Sequence, residues 1–194
     1  MYLQEYHRQI KSGRIVANKK IIKIYDRLMS EINNPHLPYT FDESKASRPI
    51  EFIEKFCKQS IGIAGAPLKL ELFQKAFIEA LFGFTYKDTG HRRFQESLFL
   101  VARKNGKTTF LAAIALYMLI ADKEASAECY SVATKQDQAR KTFDEIVAMR
   151  KYSLAIQSVT RKRRADLYMP GILQRCGSAR KRTRAQVLHG RRIS

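Results

Sequence analysis

The chain has 194 residues, 36 Lys/Arg against 18 Asp/Glu (net charge +18), and 45% hydrophobic residues. That hydrophobic share excludes wholesale disorder, and the length allows one domain with a sizeable core and a small attached lobe. A self-balanced solvated surface is excluded too: the cationic excess points to a polyanionic partner, because cationic surfaces displace counterions from nucleic acid.

The charge is uneven. Residues 161–194 carry 11 Lys/Arg against Asp166 alone, which makes the body moderately basic and the tail strongly so. Cys57, Cys129 and Cys176 are isolated and odd in number, without a CxxC pair, so neither a disulfide framework nor a zinc site is indicated. The four histidines are scattered without metal-ligand spacing. The N-terminus "MYLQEYHRQIK" has no apolar signal core, and the longest apolar run, Phe110 to Ala121, is too short to span a bilayer. No membrane partner is expected, and the location expected is cytoplasmic.

In chain order, residues 1–48 read as helical with breaks. "ANKKIIKIYDRLMSEI" sets Ile21, Tyr25, Leu28 and Ile32 on one helical face. "NNPHLPYTFDESKASRP", with its prolines and polar residues, reads as a loop. Helical spacing returns through Phe52, Ile53, Phe56 and Cys57, is broken by "GIAGAP", and resumes in "LKLELFQKAFIEALFGF" with Phe73, Phe77, Ala80, Leu81 and Phe84 on one stripe. After the polar turn "TYKDTGHRR" the pattern changes. Leu98–Ala102 is a short continuous apolar run, as expected of a strand covered on both faces. Lys107–Ala121 predicts a helix, Glu128–Ala133 a second strand, and Thr134–Arg150 a helix with Ala139, Phe143, Ile146 and Val147 inward. Strand, helix, strand, helix with short connections predicts an α/β fold with a parallel sheet and right-handed crossovers.

The centre of "FLVARKNGKTTFLAA" carries the chemistry. A phosphate-binding loop needs backbone N–H groups converging at a helix N-terminus, a lysine for the outer phosphates and a hydroxyl for magnesium. Gly106, Lys107 and Thr108 supply these in order, between an apolar run and an amphipathic helix. The glycine that ordinarily opens such a Walker A loop is replaced by Val101, and Arg103 and Lys104 put charge inside it. The plainer reading is a lysine solvating a helix start, although a cation there opposes the helix dipole.

The segment "RRFQESLFLVARKNGKTTFLAAIALYMLIAD…AECYSVATKQDQARKTFDE" resembles the ATPase domain of tailed-phage terminase large subunits, the motors that pump DNA into viral procapsids. The resemblance rests on "RKNGK" followed by Thr, on Ala133-Thr134 with Asp137-Gln138-Ala139, and on the upstream "QKAFIEALFG". It covers about residues 5–170. It implies a P-loop NTPase-type fold preceded by a helical N-terminal region, ATP and Mg2+ as ligands, and double-stranded DNA, a terminase small subunit and a portal protein as partners, in a host-cell cytoplasm. It also implies residue roles: Lys107 on the outer phosphates, Thr108 on magnesium, Gly106 for close backbone approach, Arg103 as phosphate sensor, Lys104 and Asn105 within the loop, and Gln74 on adenine. Arg92 and Arg93 would reach DNA or a neighbouring subunit's nucleotide, or simply solvate a turn.

Two departures shape the expectations. The family needs an apolar strand ending in Asp-Glu, and the pair after the loop, Asp144-Glu145, falls inside a predicted helix. The RNase H-like nuclease of the family has no counterpart here. Similarity is expected to fade after "RKRRADLYMP", giving a helical arm over 1–60, a partial ATPase domain with an incomplete sheet over 61–170, and a basic, unstructured tail over 171–194. The reading is a terminase large subunit, of phage or prophage origin, interrupted inside its ATPase domain, with weak or non-productive ATP binding. The alternatives are a diverged tail on a non-enzymatic basic DNA-binding protein, or a P-loop ATPase of helicase type.

Overall fold

Helix α1 (Tyr2–Lys11) leads to α2 (Lys19–Ile32), which starts where the Asn18 side chain accepts a hydrogen bond from the Ile21 N–H. Its expected stripe faces inward: Tyr25 and Leu28 are buried, and Ile21 and Ile32 pack beside them. The computed structural model describes residues 1–60, 62–124, 127–163, 166–170 and 174–178.

The stretch read as a loop between α2 and residue 50 is mostly ordered. Tyr39–Phe41 forms strand β1, and Asp42 then caps helix α3 (Glu43–Phe56) by accepting from Lys45 N–H. Pro49 lies inside α3. A helix interior usually rejects proline, which lacks the N–H and crowds the preceding turn. Here Pro49 belongs to the buried row Ala46, Pro49, Ile50 and Ile53, so packing outweighs the lost bond. The prolines hid that spacing.

Helix α4 (Leu72–Gly83) is wrapped by neighbours rather than lying on one. Its most buried residues are Gln74, Ala76, Ile78, Glu79, Phe82 and Gly83, not the expected stripe. Strand β2 (Phe84–Tyr86) follows at once and pairs antiparallel with β1, setting Phe41 opposite Phe84. The chain is so close there that a Cβ at Gly83 would run into the Phe41 ring.

Helix α5 (Lys107–Ile120) is the centre of the main core. It buries Phe110, Ala112, Ala113, Ile114, Leu116, Tyr117 and Leu119 against α3 and α6 (Gln136–Lys151), the latter supplying Ala139, Phe143, Ile146 and Met149. Between them runs β3 (Glu128–Ser131). After α7 (Leu154–Val159), capped by Ser153, come β4 (Arg161–Lys162), β5 (Asp166–Met169) and β6 (Gln174–Ser178).

The sheet order is β3-β6-β5-β4, with β3 and β6 parallel and the other two pairings antiparallel. It is therefore a mixed sheet, whereas crossover reasoning predicted a parallel one. Two further expectations are corrected. Leu98–Ala102 is not a strand: no described strand pairs with it, and Leu98 and Leu100 stand 85% and 86% exposed while Phe99 packs inward. Backbone pairing, which an apolar run cannot supply for itself, is what makes a strand. The second concerns the segment beyond residue 170. Gln174–Ser178 is ordered as β6, bonded on both sides, with Cys176 buried in the core. Residues 179–194 lie outside the described residues.

The three cysteines are free thiols. Burial pushes the thiols of Cys57 and Cys176 up to about 12, so both stay protonated and unreactive at neutral pH. Among the described residues no helix is long and apolar enough to cross a membrane.

Candidate nucleotide site

The turn before α5 has unusual backbone geometry. Lys104 and Gly106 both take left-handed conformations, with φ of 68° and 65°. Glycine does this freely, whereas lysine does so at a cost of about 1 kcal/mol, and such outliers gather at functional sites. Asn105 braces the turn by donating from Nδ2 to the Ala102 carbonyl at 3.3 Å. Gly106 is the N-cap of α5 and offers no side chain to cap it, and the first turn carries no acidic residue. The early N–H groups of an apolar helix therefore open at a turn bearing Arg103, Lys104 and Lys107, an arrangement that favours an anion.

Beside this turn lies a cavity of about 370 Å³. Its walls include Gln74 from α4, Lys104, Asn105 and Gly106 from the turn, Thr109 and Phe110 from α5, and Gln59, Ser60 and Leu70 from the segment before α4. Gln74 and the turn were expected together, and the structure brings them together: a Cβ at Gly106 would sit 3.9 Å from Gln74 Nε2. Arg103, Lys107 and Thr108 do not line the cavity; they are exposed neighbours of residues that do.

Gln74 is buried, and its Oε1 accepts from the Glu71 N–H at 3.0 Å. That reciprocal contact at the start of α4 fixes the carboxamide before any ligand arrives. Sequence reading missed Glu71, although its spacing of three from Gln74 was visible. It also missed Glu145 on α6, which accepts from Ser60 Oγ at 2.7 Å and from Thr109 Oγ1 at 3.1 Å. Nothing in the sequence around Glu145 announces contacts 85 and 36 residues away. The Asp144-Glu145 pair lies on α6, as expected, with Asp144 exposed beside Arg140.

Arg92 and Arg93 are held within the fold. Arg92 pairs with Asp122 at 2.7 Å and stacks on Phe82. Arg93 pairs with Glu31, and its guanidinium lies over Tyr39, 3.8 Å from the ring centre. Burial opposes ionisation of Glu31, but hydrogen bonds from Arg93 and Arg27 outweigh it and draw its pKa from 4.5 down to about 2.

Fold and turn together define a mixed α/β domain in which an apolar central helix opens at a glycine-ended cationic turn beside a cavity. A family model described as "Terminase large subunit, ATPase domain" matches residues 72–178, more than half of the chain. The chain belongs to that family. It is 30% identical over 118 residues to the terminase large subunit of Enterobacteria phage HK97, a stretch that is 60% of this chain and 22% of that protein. The crystal structure of the HK97 bacteriophage large terminase is similar to it with a TM-score of 0.60 at 28% identity, covering 73% of this chain and 29% of that one. The chain thus spans less than a third of the length of these relatives. The family match runs through Ser178, past the point near Pro170 where similarity was expected to fade, and takes in β6.

Proposed function

We propose that this chain binds ATP as the nucleotide-binding part of a terminase large subunit, whose work is ATP-driven packaging of phage DNA. The observation that carries the reading is the cavity joining the fixed carboxamide of Gln74 to the cationic, uncapped start of α5. Adenine would lie against Gln74, whose amide offers both a donor and an acceptor. The triphosphate would run toward Lys104–Thr108, with Lys107 on the outer phosphates, the N–H groups after Gly106 beneath them, and Arg103 close enough in sequence to reach the terminal one.

Among the described residues no cluster of three or more His, Cys, Asp or Glu could hold a metal. Magnesium fits this chain only as part of the nucleotide, taking the Thr108 hydroxyl, phosphate oxygens and water, and it would neutralise phosphate charge there. The function proposed for the residues described is nucleotide binding, and Asp144-Glu145, in mid-helix, is given no catalytic part in it. Calorimetric titration with Mg-ATP tests this: binding in the wild type, lost in Lys107→Ala, is expected. Equal binding by both proteins would remove the phosphates from the loop.

The DNA partner rests on charge. If about five cations of residues 161–194 contact phosphates, log affinity falls with log salt at a slope of about −4 to −5 for any sequence. Because β4, β5 and β6 belong to the sheet, the informative truncation is after Ser178, which removes Arg180, Lys181, Arg182, Arg184, Arg191 and Arg192. An unchanged slope in that truncation would move the contacts to the body. The small subunit and portal protein are the partners expected of a whole terminase large subunit.

A further inference from the structure

Glu145 lies half-buried at the middle of α6, away from the phosphate turn in sequence, yet it holds two walls of the cavity at once. One wall is the turn between Cys57 and Leu68, closed by hydrogen bonds from Gln59 N–H to Ala66 and from Leu68 N–H to Cys57. Ser60 in that turn donates to Glu145, with both carboxylate oxygens at 2.7 Å. The other wall is the first turn of α5, where Thr109 donates to the same carboxylate at 3.1 Å. Ser60 and Thr109 both line the cavity.

The chemistry of the hydroxyl gives this a consequence. Each hydroxyl has one proton and two lone pairs. With both protons directed at Glu145, Ser60 and Thr109 turn only acceptor oxygens toward a ligand. Behind them stands a negative charge. Those oxygens suit hydroxyl or amino donors of a ligand. Thr109 belongs to the same first turn of α5 that opens at Gly106, so the carboxylate ties the start of that helix to Ser60 on the facing turn.

The geometry points to Glu145 as a positioning residue of this site: by clamping Ser60 and Thr109 it holds the turn between Cys57 and Leu68 against the first turn of α5 and so fixes the shape of the cavity that takes the nucleotide. The inference rests on the nucleotide reading for its ligand, but the clamp itself can be measured without one. The experiment combines titration of a fluorescent ATP analogue with hydrogen–deuterium exchange in the full chain, for wild type, Glu145→Ala, Glu145→Gln, Ser60→Ala and the Ser60→Ala/Glu145→Ala double variant. Glu145→Ala is expected to weaken the analogue by about tenfold, the effect of losing one or two charge-assisted hydrogen bonds. It should also speed exchange in residues 57–70 and in the first turn of α5, leaving the rest of the chain unchanged. Glu145→Gln keeps one acceptor oxygen and should recover much of both losses. Adding Ser60→Ala to Glu145→Ala should cost little more, because the two act through one bond.

Unchanged exchange at 57–70 in Glu145→Ala would overturn the clamp. So would faster exchange throughout the chain, or equal losses in the Ala and Gln variants, since each marks a general fold defect. If wild type binds no analogue, the nucleotide reading fails, and the exchange result still decides the clamp.

Discussion

The N-terminal cluster and the phosphate turn differ in how they are completed. Around Leu3, Tyr25, Leu28, Tyr39, Ala76 and Phe84 every strong feature has its counterpart nearby. Glu31 meets Arg93, Arg93 stacks on three rings, and Glu79 accepts from the Leu3 N–H at 2.6 Å at the start of α1. The turn region is the reverse. Its cations are exposed, Lys104 is held in a left-handed conformation, and Leu98 and Leu100 face outward just before it. One region spends its residues on stability; the other keeps backbone donors and charge available. Local irregularity of the second kind marks where a ligand acts.

Substitutions should split along the same line. Arg93→Ala leaves the Glu31 carboxylate buried without its main partner and should destabilise by about 3–5 kcal/mol, read by chemical unfolding; a loss below about 1 kcal/mol would mean that the cluster is not held by this pair. Gly83→Ala pushes a methyl group into the Phe41 ring and should cost about 1–3 kcal/mol. Acid should find the same cluster. Because the folded pKa of Glu31 is drawn from 4.5 to about 2, its contribution is complete above about pH 4.5 and is lost as pH falls toward 2. Glu79 works the other way: burial raises its pKa, so the stability linked to it is lost as pH rises. Melting temperature against pH should therefore show a steeper acid limb in wild type than in Glu31→Gln; superimposable limbs would contradict the assignment. At the turn, Leu98→Ser and Leu100→Ser remove side chains already in water, so unfolding free energy should move by no more than about 0.5 kcal/mol. A larger drop in either would show that this segment is packed in solution.

The helices with one apolar face were legible because burial on one side leaves a period: Tyr25 and Leu28 in α2, Ala139, Phe143 and Ile146 in α6. Helix α4 was harder to read, since a helix buried all round keeps no stripe. Helix α3 was hidden by Pro49, whose cost is offset only by tertiary packing. The apolar run Leu98–Ala102 looked like a strand, but strands depend on pairing partners that a local window does not contain. Strand β6 was missed for the same reason: "QRCGS" has little apolar character and is ordered by β3 and β5 on either side. At the site, the loop residues and Gln74 were readable from order and resemblance. Glu145 was not, because its role consists of two long-range contacts.

The central claim is that adenine lies against Gln74 while the phosphates lie at the turn. The most direct test is competition of ATP and GTP against a fluorescent ATP analogue, in wild type and in Gln74→Glu. That substitution keeps the oxygen that caps α4 and removes the amide donor; because its buried charge also costs stability, the quantity read is the ratio of ATP to GTP competition, which a uniform loss of binding leaves unchanged. ATP is expected to compete about tenfold better than GTP in wild type, as one discriminating hydrogen bond allows, and Gln74→Glu is expected to erase most of that ratio. Equal competition by ATP and GTP in wild type, or a preference untouched by Gln74→Glu, would contradict it.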